Sequence, residues 1–419
     1  MRVNKWVTII IILSFFTSLF ATFLATKCDK NTPEECLIEK ELSIMPEMYW
    51  HYNIIKYVAN YGYTPKEVYK DGDAGPKGDL VKGGGMKTAY HSPAYYYVGA
   101  LVFLFAKKIN LNPIISLQVF ASIIMLLTNI FFFLTVKKLS KYVIRKKQFI
   151  IYSTALFAFL PIHLYISLFI HDTILFYFLF IVSIYMYVRF MEDKNIKNAI
   201  IFGGIVGLSL LSGQTALMTL LAILIFLLYF FIKKEYKTSK LLFISLITSL
   251  IIGIYPFIRN YIYYGHPLDQ TFNIKYASSL THLLNYFPSF WSGVYGGNEG
   301  LRIFIGIIAV LLTLTTAYGF FRYRNLFKKI NLNFIVLIGV LTILALIHLS
   351  CNFFNIIFFK CIGVFGHAKY LISLEPIIAI FSSLVFIKIG NKKYFKIIIP
   401  WLIFLVCLLF SIDFIYAFI

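Results

Sequence analysis

The chain has 419 residues, of which 60% are apolar and only 14% are charged, and its mean hydropathy is +0.80. Soluble domains carry about a quarter of their residues as charges, so the composition excludes a soluble globular protein. The formal net charge of +21 would suit nucleic-acid binding, but in a membrane protein basic cytoplasmic loops explain it.

Apolar runs of about twenty residues recur along the chain, which is the length that a helix needs to cross roughly 30 Å of hydrocarbon. The runs are continuous rather than alternating, so they predict helices and not the strands of a barrel. The first run follows a basic N-terminus and is longer than the core of a signal peptide, which favours a retained span. The predicted spans are 6–26, 114–136, 148–168, 171–189, 241–258, 303–321, 334–350, 370–388 and 397–418.

The apolar run 199–232 is too long for one crossing at about 1.5 Å per residue. The interruption "LSGQTAL", near Ser212 to Gln214, divides it into two helices. The sequence therefore predicts an all-α polytopic membrane protein, one domain over 1–419, with about eleven transmembrane helices.

The stretch "AYYYVGALVFLFA", 94–106, decides on which side of the membrane the later loops lie. As a helix it would reach only roughly 20 Å, which is less than the hydrocarbon thickness. If it lies in the outer interface, the segments predicted to be cytoplasmic hold 23 Lys and Arg against 3 acidic residues. Length and charge therefore agree on an interfacial helix, an inner N-terminus and two large outer loops, 27–113 and 259–302.

The first outer loop holds 10 of the chain's 18 acidic residues and a glycine-rich stretch, 71–87, interpreted as a tether or lid. In the same loop, Glu47 and His51 stand four positions apart in a helix predicted from Pro46, so the two side chains share one face.

Asp172, next to His171, stands at the outer mouth of a predicted span. An aspartate at that depth is costly unless it is paired, hydrated or functional. The alternative is an N-cap for the helix that follows.

Short segments recur in the order of a known set of motifs. "PEMY" follows the first span, "HSPAYY" (91–96) closes the first outer loop and "RNYIYYGHP" (259–267) opens the second. Between and after them stand Pro161 with the His-Asp pair 171–172, "GLSLLSGQ" (207–214), "SFWSGVYG" (289–296) and "HAKYLISLEP" (367–376). Together they resemble the GT-C superfamily of polytopic glycosyltransferases. More narrowly they resemble glycosyltransferase family 39 with its aminoarabinose and protein mannosyl transferase relatives.

The chain departs from that family's pattern at three positions. Pro46 stands in place of the usual Asp of an acidic pair, Gln214 in place of a frequent Lys, and Lys369 in place of an Arg. The first departure leaves Glu47 as the one carboxylate of the pair. It also keeps open a non-catalytic alternative, an inactive relative that serves as a partner subunit.

The resemblance implies an integral plasma-membrane enzyme whose active site faces outside. It would transfer a sugar from a polyprenyl-phosphate donor to a lipid, glycan or protein acceptor, with inversion. Glu47 is expected to be the base, with Asp172 as the second catalytic residue. Basic side chains are expected to offset the charge of the lipid phosphate. The residues expected to bind substrate are His51, His91, Tyr95, His171, Arg259, Asn260, His367, Lys369 and Glu375, the last paired with Lys369 or His367.

No cofactor is expected, although a divalent metal stays open, because the outer histidines include no close H-x-x-x-H pair. The chain contains neither a phosphate-binding loop nor a dinucleotide fingerprint, and no nucleic-acid partner is expected. The predicted outer cysteines can be disulfides or free thiols, and the sequence does not choose between these states. They are Cys28, Cys36, Cys351 and Cys361.

Two other functions fit the composition. A flippase or transporter of lipid-linked saccharides would need polar residues along a path through the membrane. A polymerase or ligase of surface glycans would use a lipid-linked oligosaccharide instead of a single-sugar donor. Movement of label from a polyprenyl-phosphate sugar to an acceptor separates these alternatives.

Overall fold

The computed structural model describes residues 2–26, 48–65, 91–167, 170–264, 267, 277–279, 299–327, 331–350, 360–362, 373–390, 403 and 405. These residues are almost entirely helical. The helices are α1 Arg2–Thr26, α2 Met48–Tyr61, α3 Ala94–Lys108, α4 Pro113–Leu139, α5 Lys146–Ala158, α6 Pro161–Ile166, α7 Asp172–Glu192, α8 Ile196–Ser212, α9 Leu217–Ile232, α10 Tyr236–Gly253, α11 Tyr255–Tyr264, α12 Glu299–Tyr323, α13 Asn333–Ser350 and α14 Glu375–Ile389. Short 3₁₀ turns cover Ser140–Tyr142, Gln214–Ala216 and Arg324–Phe327.

Within the described part of the chain, five helical stretches are long and apolar enough to cross a membrane. They are Lys5–Thr22, Pro113–Tyr142, Asp172–Glu192, Gln214–Ile232 and Tyr236–Gly253. Large apolar side chains on them, such as Phe16 at 59% and Phe243 at 53% exposed, face outward, as lipid-facing residues do. The chain is therefore an integral membrane protein built from helices. The predicted total of about eleven spans stays a prediction.

The break predicted near Ser212 to Gln214 is confirmed. Helix α8 ends at Ser212, a 3₁₀ turn covers Gln214–Ala216, and α9 begins at Leu217. The Ser212 hydroxyl donates to the carbonyl of Leu208 at 2.9 Å, a back-bond that disfavours continuation of a helix. The long apolar run thus forms two helices.

The run predicted as one span over 148–168 is divided, so this prediction was wrong in detail. Helix α5 ends at Ala158 and α6 begins at Pro161. Proline has no N–H and fits the first position of a helix, where that group has no helical partner. His163, on the short second helix, is 1% exposed.

Helices α8 and α10 pack closely because small residues line their interface. A Cβ on Gly203 would lie 2.3 Å from the carbonyl oxygen of Ser245. The hydroxyl of Ser249 donates to the carbonyl of Gly203 at 2.9 Å. Small residues and interhelical hydroxyl bonds are the usual means of helix association in membranes, where the hydrophobic effect contributes little.

The helix predicted at 94–106 is present as α3, and it packs on α2. A Cβ on Gly99 would lie 2.8 Å from Cδ1 of Ile55, so the two helices approach closely. The opposite face of α3 exposes Leu101 by 68% and Phe105 by 62%. A buried face and an apolar exposed face suit an interfacial helix, although its orientation in the membrane stays a prediction.

The described residues also include one short antiparallel β-ladder. Strands β1 Ala277–Ser279 and β2 Lys360–Ile362 pair antiparallel, with Ser278 opposite Cys361. The ladder joins the second predicted outer loop to the predicted outer turn near 351–369. The other outer cysteines lie outside the described residues, so the disulfide alternatives are not tested.

Candidate functional site

Three histidines from distant parts of the chain meet where α2, α3 and α7 come together. The ring centroid of His51, on α2, lies 3.9 Å from that of His171 and 5.3 Å from that of His91. His171 directly precedes α7, and His91 lies three residues before α3. The hydroxyl of Tyr96, on α3, lies 2.9 Å from Nδ1 of the buried His51. We call His51, His91 and His171 the histidine cluster.

Asp172, the first residue of α7, contacts two members of the histidine cluster. Its Oδ2 lies 2.9 Å from Nδ1 of His91, and its Oδ1 lies 2.7 Å from Nδ1 of His171. At 2.9 Å the Nδ1–H of His91 donates and the carboxylate accepts. Nδ1 of His171 accepts from the backbone N–H of Thr173 at 3.1 Å, so its approach to Asp172 is a close contact and not a second donated bond. The Asp172 side chain is 10% exposed and that of His91 18%, so the pair is not fully sealed. The N-cap of α7 is His171, which removes the capping alternative for Asp172.

Tyr95, on α3, lies close enough to Asp172 for its hydroxyl to feel the charge of the carboxylate. Its side chain is fully buried, and its hydroxyl makes no hydrogen bond of good geometry to a described residue, although the backbone of His171 lies beside it. Burial raises the pKa of the Tyr95 phenol well above its usual value, and the negative charge of Asp172 raises it further. The phenol is therefore neutral and keeps its proton.

Arg259, on α11, bridges the segment of His91 and that of Thr64 by hydrogen bonds. One terminal nitrogen of its guanidinium donates to the backbone carbonyl of His91 at 3.1 Å, and the other donates to Oγ1 of Thr64 at 3.2 Å. The amide oxygen of Asn260 accepts from the guanidinium at 2.7 and 3.1 Å. Arg259 is only 3% exposed. The contact between Arg259 and a donor phosphate stays a prediction, and the bonds described here make Arg259 a clamp on the backbone of His91.

Glu375 lies in a second polar cluster, formed by α6, α7 and α14. Its Oε2 lies 3.2 Å from Nδ1 of His163 and accepts a short hydrogen bond from the hydroxyl of Tyr177. All three side chains are at most 1% exposed. The partner expected for Glu375 is Lys369 or His367. Both of those residues lie outside the described part of the chain, so that pairing stays a prediction, and among the described residues Glu375 contacts His163 and Tyr177.

The structure therefore brings together six of the predicted site residues and separates one. His51, His91, Tyr95, His171, Asp172 and Arg259 surround one site, Asn260 supports it, and Glu375 lies apart. Glu47, His367 and Lys369 lie outside the described residues. Sequence reasoning missed Thr64, His163 and Tyr177 as partners, since no local pattern marks a hydrogen bond between distant helices.

Part of the site can hold a metal ion. One ligand atom each from His51, His91 and Asp172 lie within 4.8 Å of one another. Two imidazole nitrogens and a carboxylate oxygen suit a transition metal such as Zn²⁺ better than Mg²⁺, which prefers oxygen ligands. The metal that the sequence leaves open thus has a candidate set of ligands.

No family model and no curated protein sequence match the chain. Several solved structures match the chain by their fold. The oligosaccharyltransferase of Archaeoglobus fulgidus in complex with zinc and sulfate is 14% identical, with a TM-score of 0.53, over 97% of this chain. The same enzyme tethered to an acceptor peptide with the NVT sequon is 12% identical, with a TM-score of 0.57. ArnT of Cupriavidus metallidurans bound to undecaprenyl phosphate is 11% identical, with a TM-score of 0.56, over 96% of this chain.

The likeness concerns the fold. The chain spans 53% of the archaeal enzyme in its zinc complex and 64% of the ArnT chain in its undecaprenyl phosphate complex. Both neighbours are membrane glycosyltransferases of the GT-C type. The chain therefore has a GT-C-like fold, as the order of its motifs predicts.

Proposed function

We propose that the chain transfers a sugar from a polyprenyl-phosphate donor to a lipid, glycan or protein acceptor at the outer face of the plasma membrane. The observation that carries the proposal is Asp172 at the head of the apolar helix α7, in contact with two imidazoles of the histidine cluster. An ionisable group at that depth is expensive and usually functional. Here it stands in a fold whose solved examples include an enzyme bound to undecaprenyl phosphate.

The reaction requires one base and one place for the leaving phosphate. The acceptor oxygen bonds to the anomeric carbon while the bond from that carbon to the phosphate oxygen breaks. The acceptor's proton passes to a carboxylate, and the lipid phosphate leaves with the bonding electrons. A single displacement of this kind inverts the anomeric centre.

Glu47 is the proposed base, and Asp172 the carboxylate that orients substrate. What supports Glu47 is its position in the sequence, directly before α2, the helix that carries His51 into the site. What supports an orienting role for Asp172 is that His91 bonds one of its oxygens at 2.9 Å and His171 lies 2.7 Å from the other. The rings of His51 and His91 lie beside His171 and are proposed to contact the substrate.

A divalent cation fits this proposal. The archaeal neighbour contains zinc, and in this chain His51, His91 and Asp172 would hold such an ion. When bound, it would offset negative charge on the lipid phosphate. The chain's own basic side chains proposed for that task are Lys369 and His367, which lie outside the described residues.

The outer location of the site rests on the distribution of charge. Basic residues of the predicted cytoplasmic segments include Lys138 and Lys141, which hold Glu192 at the far end of α7 from Asp172. Helix α7 has 21 residues, so the two ends lie about 30 Å apart, roughly the hydrocarbon thickness. If the basic end is cytoplasmic, Asp172 is at the outer boundary.

The proposal is tested with purified protein in nanodiscs, a panel of labelled undecaprenyl-phosphate sugars and a membrane extract as the source of acceptor. Transfer of label from the lipid to a new product supports it. In proteoliposomes, movement of intact labelled lipid across the bilayer without a new product would identify a flippase. Use of a lipid-linked oligosaccharide alone would identify a polymerase or ligase.

A further inference from the structure

One oxygen of Glu375 contacts two helices that follow each other along the chain. Oε2 lies 3.2 Å from Nδ1 of His163, on α6, and accepts a short hydrogen bond from the hydroxyl of Tyr177, on α7. The rings of His163 and Tyr177 also meet edge to face, with their centroids 5.8 Å apart. Glu375 is the first residue of α14 and is fully buried. The head of α14 therefore joins α6 to α7.

The two contacts of Glu375 stand on either side of the turn that carries part of the site. Residues 167–171 connect α6 to α7, so His171 is the last residue of this turn and Asp172 the first of α7. Along α7, Tyr177 stands five residues after Asp172, which is about 7.5 Å at the rise of a helix. Because a helix is stiff over so short a distance, a shift of α7 at Tyr177 moves Asp172 with it.

Stability alone does not explain a carboxylate at this place. Oε1 of Glu375 and Nε2 of His163 are buried and make no hydrogen bond to a described residue. A buried polar or ionic group with unsatisfied atoms costs free energy, and an apolar group of similar volume often serves stability as well or better. The directional contacts of Glu375 supply what an apolar group lacks, which is a fixed placement of α6 relative to α7.

Resting on the proposed function, we infer that Glu375 is a positioning residue, which fixes His171 and Asp172 by holding α6 and α7 on either side of them. Glu375 acts through Asp172, whose Oδ2 lies 2.9 Å from Nδ1 of His91. Group transfer is sensitive to such placement, because a displacement of about 1 Å can cost about 100-fold in rate. Glu375 thus serves the site although its carboxylate lies in a separate polar cluster.

The double variant Glu375→Leu/Tyr177→Phe separates positioning from stability. It should be more stable than Glu375→Leu, because replacing both partners of a hydrogen bond by apolar groups is nearly neutral. Its transfer rate is nonetheless expected to stay as low as that of Glu375→Leu, about ten-fold or more below the wild type, since nothing then holds α6 to α7 at this point. In an Asp172→Asn background the same two changes should cost less than about two-fold more, because the group that they displace is already altered.

Amide hydrogen exchange over 163–177, measured by mass spectrometry, reports on the turn without any transfer. Exchange there should be faster in the double variant than in the wild type, because the turn opens more easily. Ser383→Ala is the matched control, since it removes a buried contact of 2.6 Å with Ser153 from the same helix, α14, away from the turn. Its transfer rate and its exchange over 163–177 should equal those of the wild type.

Transfer by the double variant that recovers together with its melting temperature overturns the inference, because Glu375 would then serve stability alone. An equal loss in the wild-type and Asp172→Asn backgrounds overturns it too, and so does unchanged exchange over 163–177. Absence of transfer by the wild type with any polyprenyl-phosphate sugar refutes the proposed function instead, and the exchange then shows whether Glu375 holds the turn.

Discussion

Oδ2 of Asp172 lies 2.9 Å from Nδ1 of His91, although 81 positions separate the two residues in the chain. His91 precedes α3 and Asp172 begins α7, so this contact joins an element of the first predicted outer loop to a membrane-crossing helix. Because the carboxylate and the imidazole are mostly buried, the bond is stronger than it would be in water.

We expect His91→Gln and Asp172→Asn to act on transfer as one unit. His91→Gln should lower the rate at least ten-fold and Asp172→Asn at least 100-fold, and the double variant should be little worse than Asp172→Asn alone, because either change breaks the same contact. Residues in direct contact typically show coupling of about 0.5–3 kcal/mol. The rates of all four proteins in a double-mutant cycle measure it. Additive losses would mean that the two side chains act independently.

Arg259→Lys is expected to lose nearly as much transfer as Arg259→Ala. A lysine keeps the charge, but one ammonium cannot replace the planar fork that bonds Asn260, Thr64 and the carbonyl of His91 together. Transfer rates and the affinity for undecaprenyl phosphate should be measured for both variants. Arg259→Lys with wild-type activity would show that the charge alone matters, as a direct phosphate contact would predict.

Glu375→Leu is expected to lower thermal stability in detergent, because it leaves the buried groups of His163 and Tyr177 unpaired, each at about 1–3 kcal/mol. Glu375→Gln, which keeps an acceptor oxygen, should lose less. Adding Tyr177→Phe to Glu375→Leu should restore part of the melting temperature, since replacing both partners by apolar groups is nearly neutral. A double variant less stable than Glu375→Leu would contradict this account of the cluster.

Glu47→Gln should leave expression and membrane insertion intact while transfer falls by about 10²–10⁴-fold, the usual loss on removing a general base. The amide keeps the size of the side chain but does not accept the acceptor's proton. Asp73→Asn, in the glycine-rich stretch of the same loop, is the matched control and should transfer normally. Near-normal transfer by Glu47→Gln would move the base to Asp172.

Helix boundaries that follow from the length of an apolar run were predictable from the sequence. The break at Ser212 follows from a run too long for one crossing, and the helix at 94–106 from a run too short for one. The division before Pro161 could have been found as well, since a proline within a predicted helix marks a boundary. It was missed because the apolar run continues on both sides.

The site was predictable in its residues but not in its contacts. Motif order marked His91, Asp172 and Arg259, yet the clamp of Arg259 on the backbone of His91 depends on where α11 packs against the first predicted outer loop. The pairing of Glu375 with His163 and Tyr177 likewise joins three helices that are distant in the chain. Such contacts are tertiary, and periodicity and composition carry no information about them.

The rate of label transfer from an undecaprenyl-phosphate sugar by purified Asp172→Asn tests the central claim most directly. The matched control is Asp193→Asn, the same change at an exposed aspartate past the far end of α7. Asparagine keeps the size of the side chain but removes the charge that His91 and His171 surround. We predict a loss of at least 100-fold on the scale usual for catalytic groups, with Asp193→Asn at the wild-type rate. Equal transfer by the two variants would contradict the claim that Asp172 belongs to a transfer site.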